Sequence, residues 1–293
     1  MEKRRKLQSL KLQSRKKNQK KKKRSKLRVL INYLYQYYPF TTASYLEMAL
    51  KKDNRFEVFR IGENRVPCAD FIINVEPCET VISYPTSISC YWEIDNHIHR
   101  GQDHIRYQKV DKVFVTQKYF LPFYPKGKTS WLPNAADPEK HRLYVDEPVK
   151  YDVGFLGNDT YPRRQKLLEL IAEKYKLLRS NSKPGEEYSR KLSRCKILFN
   201  CSMDHDVNMR VFEALSIGRL LLTDKVAGQD RLLVDGLHYV SFKDWTDLDQ
   251  KIAYYLSNKK ARETIANKGR AFVHAEHTYQ HRLEKILQVC GIY

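Results

Sequence analysis

The chain has 293 residues, 42% of them hydrophobic and 12% aromatic, enough for a sizeable buried core and too many for one small domain. Its formal charge of +20 is uneven: residues 1–27 hold 14 Lys or Arg against the single acid Glu2, leaving 40 bases against 33 acids for everything after. No stretch approaches the roughly 18 apolar residues of a membrane span, and no apolar run of secretory-signal length follows the N-terminal charges, which argues against a spanning or exported chain and makes a cytoplasmic one the expectation.

Residues 1–27 repel one another and carry almost no apolar surface, so the expectation is a disordered basic tail able to meet an anionic surface, either lipid headgroups, nucleic acid or an acidic partner. A purely solubilising extension is the plain alternative. The six cysteines form no CxxC pair and several sit in apolar runs, which predicts reduced, buried thiols rather than a disulfide framework or zinc site.

After the tail, Arg28 to Asn32 reads as a strand and Thr41 to Lys51 as a helix with a Thr/Ser start. Short apolar runs follow at 56–61, 71–75, 88–94 and 112–116, with helical spacing over 102–110. A second cycle begins with a strand at 151–156, a helix at 163–175, a strand at 176–179, a helix at 188–194 and a strand at 195–201. It continues with a helix at 211–217, strands at 220–223 and 239–242, and a helix at 248–256, before a strandless helical segment over 261–287. Alternating strands and helices predict parallel sheets, and two such cycles divided near 143–150 predict two Rossmann-like domains. The expected division is tail 1–27, first domain 28–148 and second domain 149–293, with Trp131 to Pro138 approaching the hinge. The terminal helical segment, counted with the second domain, is also long enough to cross back onto the first.

In such folds ligands bind beyond the carboxyl ends of strands, where helix N-termini offer unpaired N–H groups to anions. The run 195–201 ends in Ser202-Met203-Asp204-His205-Asp206-Val207-Asn208, and Asn208 is the natural N-cap of the next helix, leaving the amides of Met209 and Arg210 open to a phosphate. Glu213, among apolar neighbours, is either a paired surface carboxylate or a two-oxygen acceptor for the vicinal hydroxyls of a ribose. Gly218 ends the helix, and the strand to Thr223 and Asp224 brings a hydroxyl toward the same end, either as a ligand contact or as a plain turn.

The segment NMRVFEALSIGRLLLTD, with WLPNAADPEKH at 131–141, YDVGFLG at 151–157 followed by Arg163 and Arg164, IANKG at 265–269 and HTYQHR at 277–282, resembles the CgeB-like (spore-maturation protein type) glycosyltransferases, a branch of the GT-B superfamily. The resemblance runs from about 112 to 287 in the family's order. It implies a GT-B fold, two Rossmann-like domains facing a cleft, and transfer of a sugar from a nucleoside diphosphate donor to an unidentified acceptor, with no metal or other cofactor.

Carried over by position, Glu213 matches the ribose-binding Glu, and Asn208, Met209 and Arg210 fall where the diphosphate is met, Arg210 facing the charge that develops on the departing nucleotide. Gly157 and Arg163 join the donor-binding set, as does Thr223. Many retaining relatives carry a second Glu eight residues before the first. Here that place is His205, which is counted with Asp95 and Arg210 as catalytic. Asp95, in WEIDNHIHR after a first-domain strand, is the candidate general base.

Asp204-His205-Asp206 is formally a DxD, the metal-holding pattern of a different glycosyltransferase fold, and Asp95, His97 and His99 are chemically able to hold a metal. A catalytically degenerate GT-B binding protein and a basic-tail nucleic-acid-binding protein are the competing functional readings.

Overall fold

A computed structural model of the chain describes residues 26–37, 39–62, 68–181 and 185–292. The basic tail lies outside the described residues, apart from its last two positions. The rest forms two α/β domains, each built on a wholly parallel sheet.

In the first domain the strands β1 (Leu27–Asn32), β2 (Phe56–Arg60), β3 (Phe71–Val75), β4 (Ile88–Glu93), β5 (Lys112–Val115) and β6 (Thr129–Trp131) run in the order β2-β1-β3-β4-β5-β6. β3 is buried along its whole length, the reason its sequence, FIINV, is almost continuously apolar instead of alternating. β6 was not foreseen. Three residues of intermediate burial carry too little periodicity to announce a strand. Helix α1 (Thr42–Lys52) begins with a reciprocal cap in which Ser44 Oγ accepts from the Thr41 amide at 2.8 Å.

The second domain orders β7 (Tyr151–Leu156), β8 (Leu177–Ser180), β9 (Cys195–Asn200), β10 (Leu220–Asp224) and β11 (Val240–Phe242) as β11-β10-β9-β7-β8. Helix α2 (Met209–Ile217) leaves the carboxyl end of β9, and Gly218, at φ +81°, takes the left-handed conformation that stops it. The six cysteines are all free and five are buried, Cys68 being exposed.

The strandless end of the chain is two helices. The first, α3 (Lys259–Glu276), packs on the second domain, burying Ala266, Gly269 and Val273. Thr278 then caps a new helix, α4 (Tyr279–Cys290), through mutual bonding with His281. The stripe Tyr279, Leu283, Ile286, Leu287 and Cys290 enters the first-domain core beside Leu46 and Leu50. This helix, assigned above to residues 149–293, therefore lies on the first domain, because its apolar face finds its partners on α1. Arg282 secures the crossing with hydrogen bonds to the carbonyls of Pro133 (2.7 Å) and Asn134 (2.9 Å) in the interdomain connection.

Among the described residues no helix is long and apolar enough to cross a membrane.

Candidate active site

The carboxyl ends of both sheets face one another across a cavity of about 490 Å³. The first domain contributes Phe40 and Thr41 from the approach to α1, and Asp95, His97 and Ile98 from the segment after β4. The second contributes Leu156 to Asn158 after β7, Met203 and Asp206 after β9, and the first turns of α2. His141, from the connection between domains, and Tyr188 close one end.

The middle of the cavity is cationic. Arg210 donates to the Leu156 carbonyl (3.0 Å) and to Asn200 Oδ1 (2.9 Å), and Arg164 donates to the carbonyls of Asn158 (2.6 Å) and Cys201 (2.8 and 2.6 Å). All these acceptors are neutral, and among the described residues neither guanidinium forms an ion pair. Burial, and then the charge of Arg210, hold Arg164 below its ordinary value. Gly157, at φ +141°, lets this happen: a Cβ there would stand 2.2 Å from Arg210 Nη2. Helix α2 points its N-terminus here with Asn208 as cap residue, yet the Asn208 side chain does not cap. Its Nδ2 donates to Asn200 Oδ1 (3.3 Å), and its buried Oδ1 has no partner. The two guanidiniums beside the α2 N-terminus form an anion site, whereas Asn208 Oδ1, an acceptor, calls for a donor instead.

Glu213 lies one turn further along α2, buried. Burial pushes its carboxyl up to about 7, with the Tyr188 hydroxyl and the Arg210 charge pulling the other way. His141 Nε2 stands 3.4 Å from Glu213 Oε1. Because His141 Nδ1 accepts from the Asp137 amide (3.1 Å) and burial lowers the ring to about 3, the imidazole is neutral with its proton on Nε2, facing Glu213. The Tyr188 hydroxyl is buried without a closed hydrogen bond. This corner offers the carboxyl oxygens of Glu213 with two donors beside them, His141 Nε2–H and the Tyr188 hydroxyl.

The opposite end is acidic. Asp95 is exposed to the cleft, its backbone amide held at 2.9 Å by the buried carboxylate of Glu76. His97, lowered by burial, is neutral and keeps a buried Nδ1 without a partner. Asp206 is buried opposite, accepting from Gln117 Nε2 at 2.6 Å, while Gln117 Oε1 accepts from the Val207 amide at 3.0 Å. Burial, then the negative charge of Asp95, push Asp206 up to about 8.

Of the residues singled out in the sequence, Asp95, Gly157, Asn208, Met209, Arg210 and Glu213 line the cavity. His205, Arg163 and Thr223 do not. The His205 ring leaves the cleft to stack on Tyr119 of the first domain (4.0 Å between centroids, 23° between planes). Arg163 is taken up by Asp224 at 2.6 Å, and Thr223, fully buried, accepts from Asn200 Nδ2 at 2.9 Å. Met209 is a hinge contact as much as a lining residue, its sulfur accepting from the hydroxyl of Tyr279 at 3.1 Å.

The DxD is divided between two first-domain partners, Asp204 pairing with Arg100 at 2.6 Å and Asp206 bonding Gln117. Among the described residues no three His, Cys, Asp or Glu side chains converge as a metal site. Sequence reasoning gave His141 and Tyr188 no site role, weighed Asp206 only as part of the DxD, and gave Arg164 no more weight than Arg163. The available signal was that Arg164, one position on, falls on the inward face of its helix with Leu167, Leu168 and Ile171.

Residues 147–288 match the family described as Glycosyl transferase-like. No curated protein matches the chain in sequence. Among solved structures, the chain is similar to an alpha-glucosyltransferase in complex with UDP and a 13-mer DNA containing an HMU base (TM-score 0.70, 11% identity, 91% of this chain and 100% of that one). It is also similar to Anabaena Alr3699/HepE in complex with UDP-glucose (TM-score 0.65, 11% identity, 91% and 100%) and to a glycosyltransferase from Rickettsia africae ESF-5 (TM-score 0.62, 10% identity, 91% and 98%). At such identities the likeness speaks for the fold. The chain has the two-domain GT-B glycosyltransferase fold, and its second half matches the glycosyl transferase-like family.

Proposed function

We propose that the protein transfers a sugar from a nucleoside diphosphate donor to an acceptor entering against the first domain, with no metal or other cofactor. The observation that carries this reading is the succession of neighbours lining the cavity: Glu213 stands with His141 and Tyr188 and next to Arg210, and Arg210 and Arg164 in turn act on Asp206, which faces Asp95. A nucleoside diphosphate sugar has the matching order of diol, dianion and polyol.

Glu213 accepts from the ribose hydroxyls, a carboxylate offering two acceptor oxygens to a vicinal diol. The two guanidiniums, left without carboxylate partners, take the diphosphate. As the glycosidic bond breaks, negative charge grows on the departing β-phosphate, and fixed cations beside a helix N-terminus stabilise it more than they stabilise the ground state. Asp95, with the neutral His97 beside it, takes the acceptor hydroxyl's proton. The CgeB-like resemblance of 131–157, 208–224 and 265–282 supports the same assignment within the superfamily.

The test is turnover with UDP-, GDP- and TDP-sugars, following nucleotide release with and without a soluble acceptor mixture, in the presence and absence of EDTA. Release that survives EDTA is expected. No turnover and no nucleotide binding would defeat the proposal, and abolition by EDTA would defeat its metal-free form. The UDP and UDP-glucose complexes of the structurally similar proteins make UDP the first nucleotide to try.

A further inference from the structure

Position 205, eight residues before Glu213, holds a histidine that leaves the cleft. The loop that carries it has an unusual backbone: Asp204 (φ +29°) and His205 (φ +57°) both enter the left-handed region, costly for residues with a Cβ. The two left-handed residues turn His205 out onto Tyr119 and Asp206 inward to line the cavity.

The inward position is held from the other domain. Gln117 of the first domain donates to Asp206 Oδ1 and accepts from the Val207 amide, and the Gln117 amide is itself fixed by Asn96 Oδ1 at 2.9 Å. Among the described residues no donor engages Asp206 Oδ2. A buried carboxyl with one oxygen clamped and the other left to a cavity is a group built to meet a ligand.

We propose that Asp206, rather than His205, is the acid that holds the transferred sugar, through a hydrogen bond from Oδ2–H to a sugar hydroxyl. This rests on the donor reading above. Burial and the facing carboxylate of Asp95 keep Asp206 protonated at neutral pH, against the smaller opposite pull of Arg210 and Arg164, so it donates where Asp95 accepts. A polyol between a donor and an acceptor carboxyl has both hydrogen-bonding directions satisfied.

Calorimetry with UDP and with UDP carrying glucose, galactose or N-acetylglucosamine tests this on the full chain. The readout is the ratio of nucleotide-sugar to nucleotide affinity. Asp206→Ala is expected to lower that ratio roughly ten- to hundredfold while leaving UDP affinity, and hence the folded site, within about twofold. Asp206→Asn, which keeps an acceptor for Gln117 and an N–H where Oδ2–H stands, should recover most of it, and His205→Ala should leave it unchanged.

An unchanged ratio in Asp206→Ala, or its loss in His205→Ala instead, overturns the assignment. An Asp206→Asn protein as poor as Asp206→Ala overturns the hydrogen-bond direction. Wild-type protein that binds UDP and gains nothing from any of the three sugars overturns this inference alone, whereas wild-type protein that binds neither UDP nor GDP overturns the donor reading beneath it.

Discussion

Replacing Glu213 by Gln should stabilise the ligand-free protein at alkaline pH and weaken nucleotide binding at the same time. A carboxyl held near 7 in the fold, against an ordinary value of 4.5, is disfavoured in its charged form by about 3 kcal/mol. The sign follows from linkage. The native state holds the Glu213 proton more tightly than the unfolded chain does, so the stability tied to it is fully present below 4.5 and is lost as pH rises through about 7. Gln has nearly the same shape, never ionises and keeps an acceptor oxygen for His141. Its gain over wild type should therefore be small at about pH 5 and approach about 3 kcal/mol by about pH 8.5, a rise of several degrees in Tm. His141, at about 3, stays neutral across this range and does not contribute to the difference. Thermal melts of both proteins at the two pH values measure the effect, and UDP titration at about pH 7.5 should show affinity down by roughly tenfold, since one acceptor oxygen replaces two. A Glu213→Gln protein that is destabilised, or equally stabilised at both pH values, would refute the argument that burial sets this carboxyl.

Other residues answer to simpler tests. Gly157→Ala drives a Cβ to 2.2 Å from Arg210 Nη2, so the guanidinium must move and nucleotide affinity should fall roughly tenfold, read by calorimetry. Unchanged affinity would remove Arg210 from the anion site. Leu283→Ala hollows the first-domain core from the terminal helix and should cost about 2–5 kcal/mol in chemical denaturation, a loss that would be far smaller if that helix only leaned on the surface. Removing residues 1–27, which hold 14 bases against one acid, should spare transfer to a soluble acceptor and abolish any salt-sensitive binding to phosphatidylserine vesicles, measured by co-sedimentation.

The architecture was legible because parallel strands buried on both faces read as apolar runs: 71–75 and 151–156 match the observed strands to the residue. What failed to read was whatever depended on the other domain. The partners of Tyr279, Leu283 and Ile286 lie far back in the chain on α1, and helical period names a buried stripe without naming its partner. Glu213 was legible as a candidate because it is an acid among apolar neighbours on a helix entering from a strand end, and it lines the cavity. His205 was misplaced because spacing counts residues and cannot see two consecutive left-handed φ values, which shift the inward-facing side chain by one. Arg163 and Arg164 were separated only by helical phase, and Asp224, at the end of a neighbouring strand, claimed the outer one.

The loop from Met203 to Asn208 belongs to the second domain by chain order and to the first by its contacts. Asp204 pairs with Arg100, His205 stacks on Tyr119, and Asp206 and Val207 share Gln117, so four consecutive residues take their partners across the cleft. Exposed pairs such as Arg100 and Asp204 are worth little singly, but the buried Gln117 contacts are not, because parting the domains leaves a buried amide and carboxyl unsatisfied unless water enters. Any parting of the domains would therefore break the contacts that hold Asp206 toward the cavity. Under the proposed function, a donor that engages Asp206 while its diphosphate sits on Arg164 and Arg210 would bind best with these cross-domain contacts intact. In this chain the residues that close the cleft are the neighbours of the residues that line it.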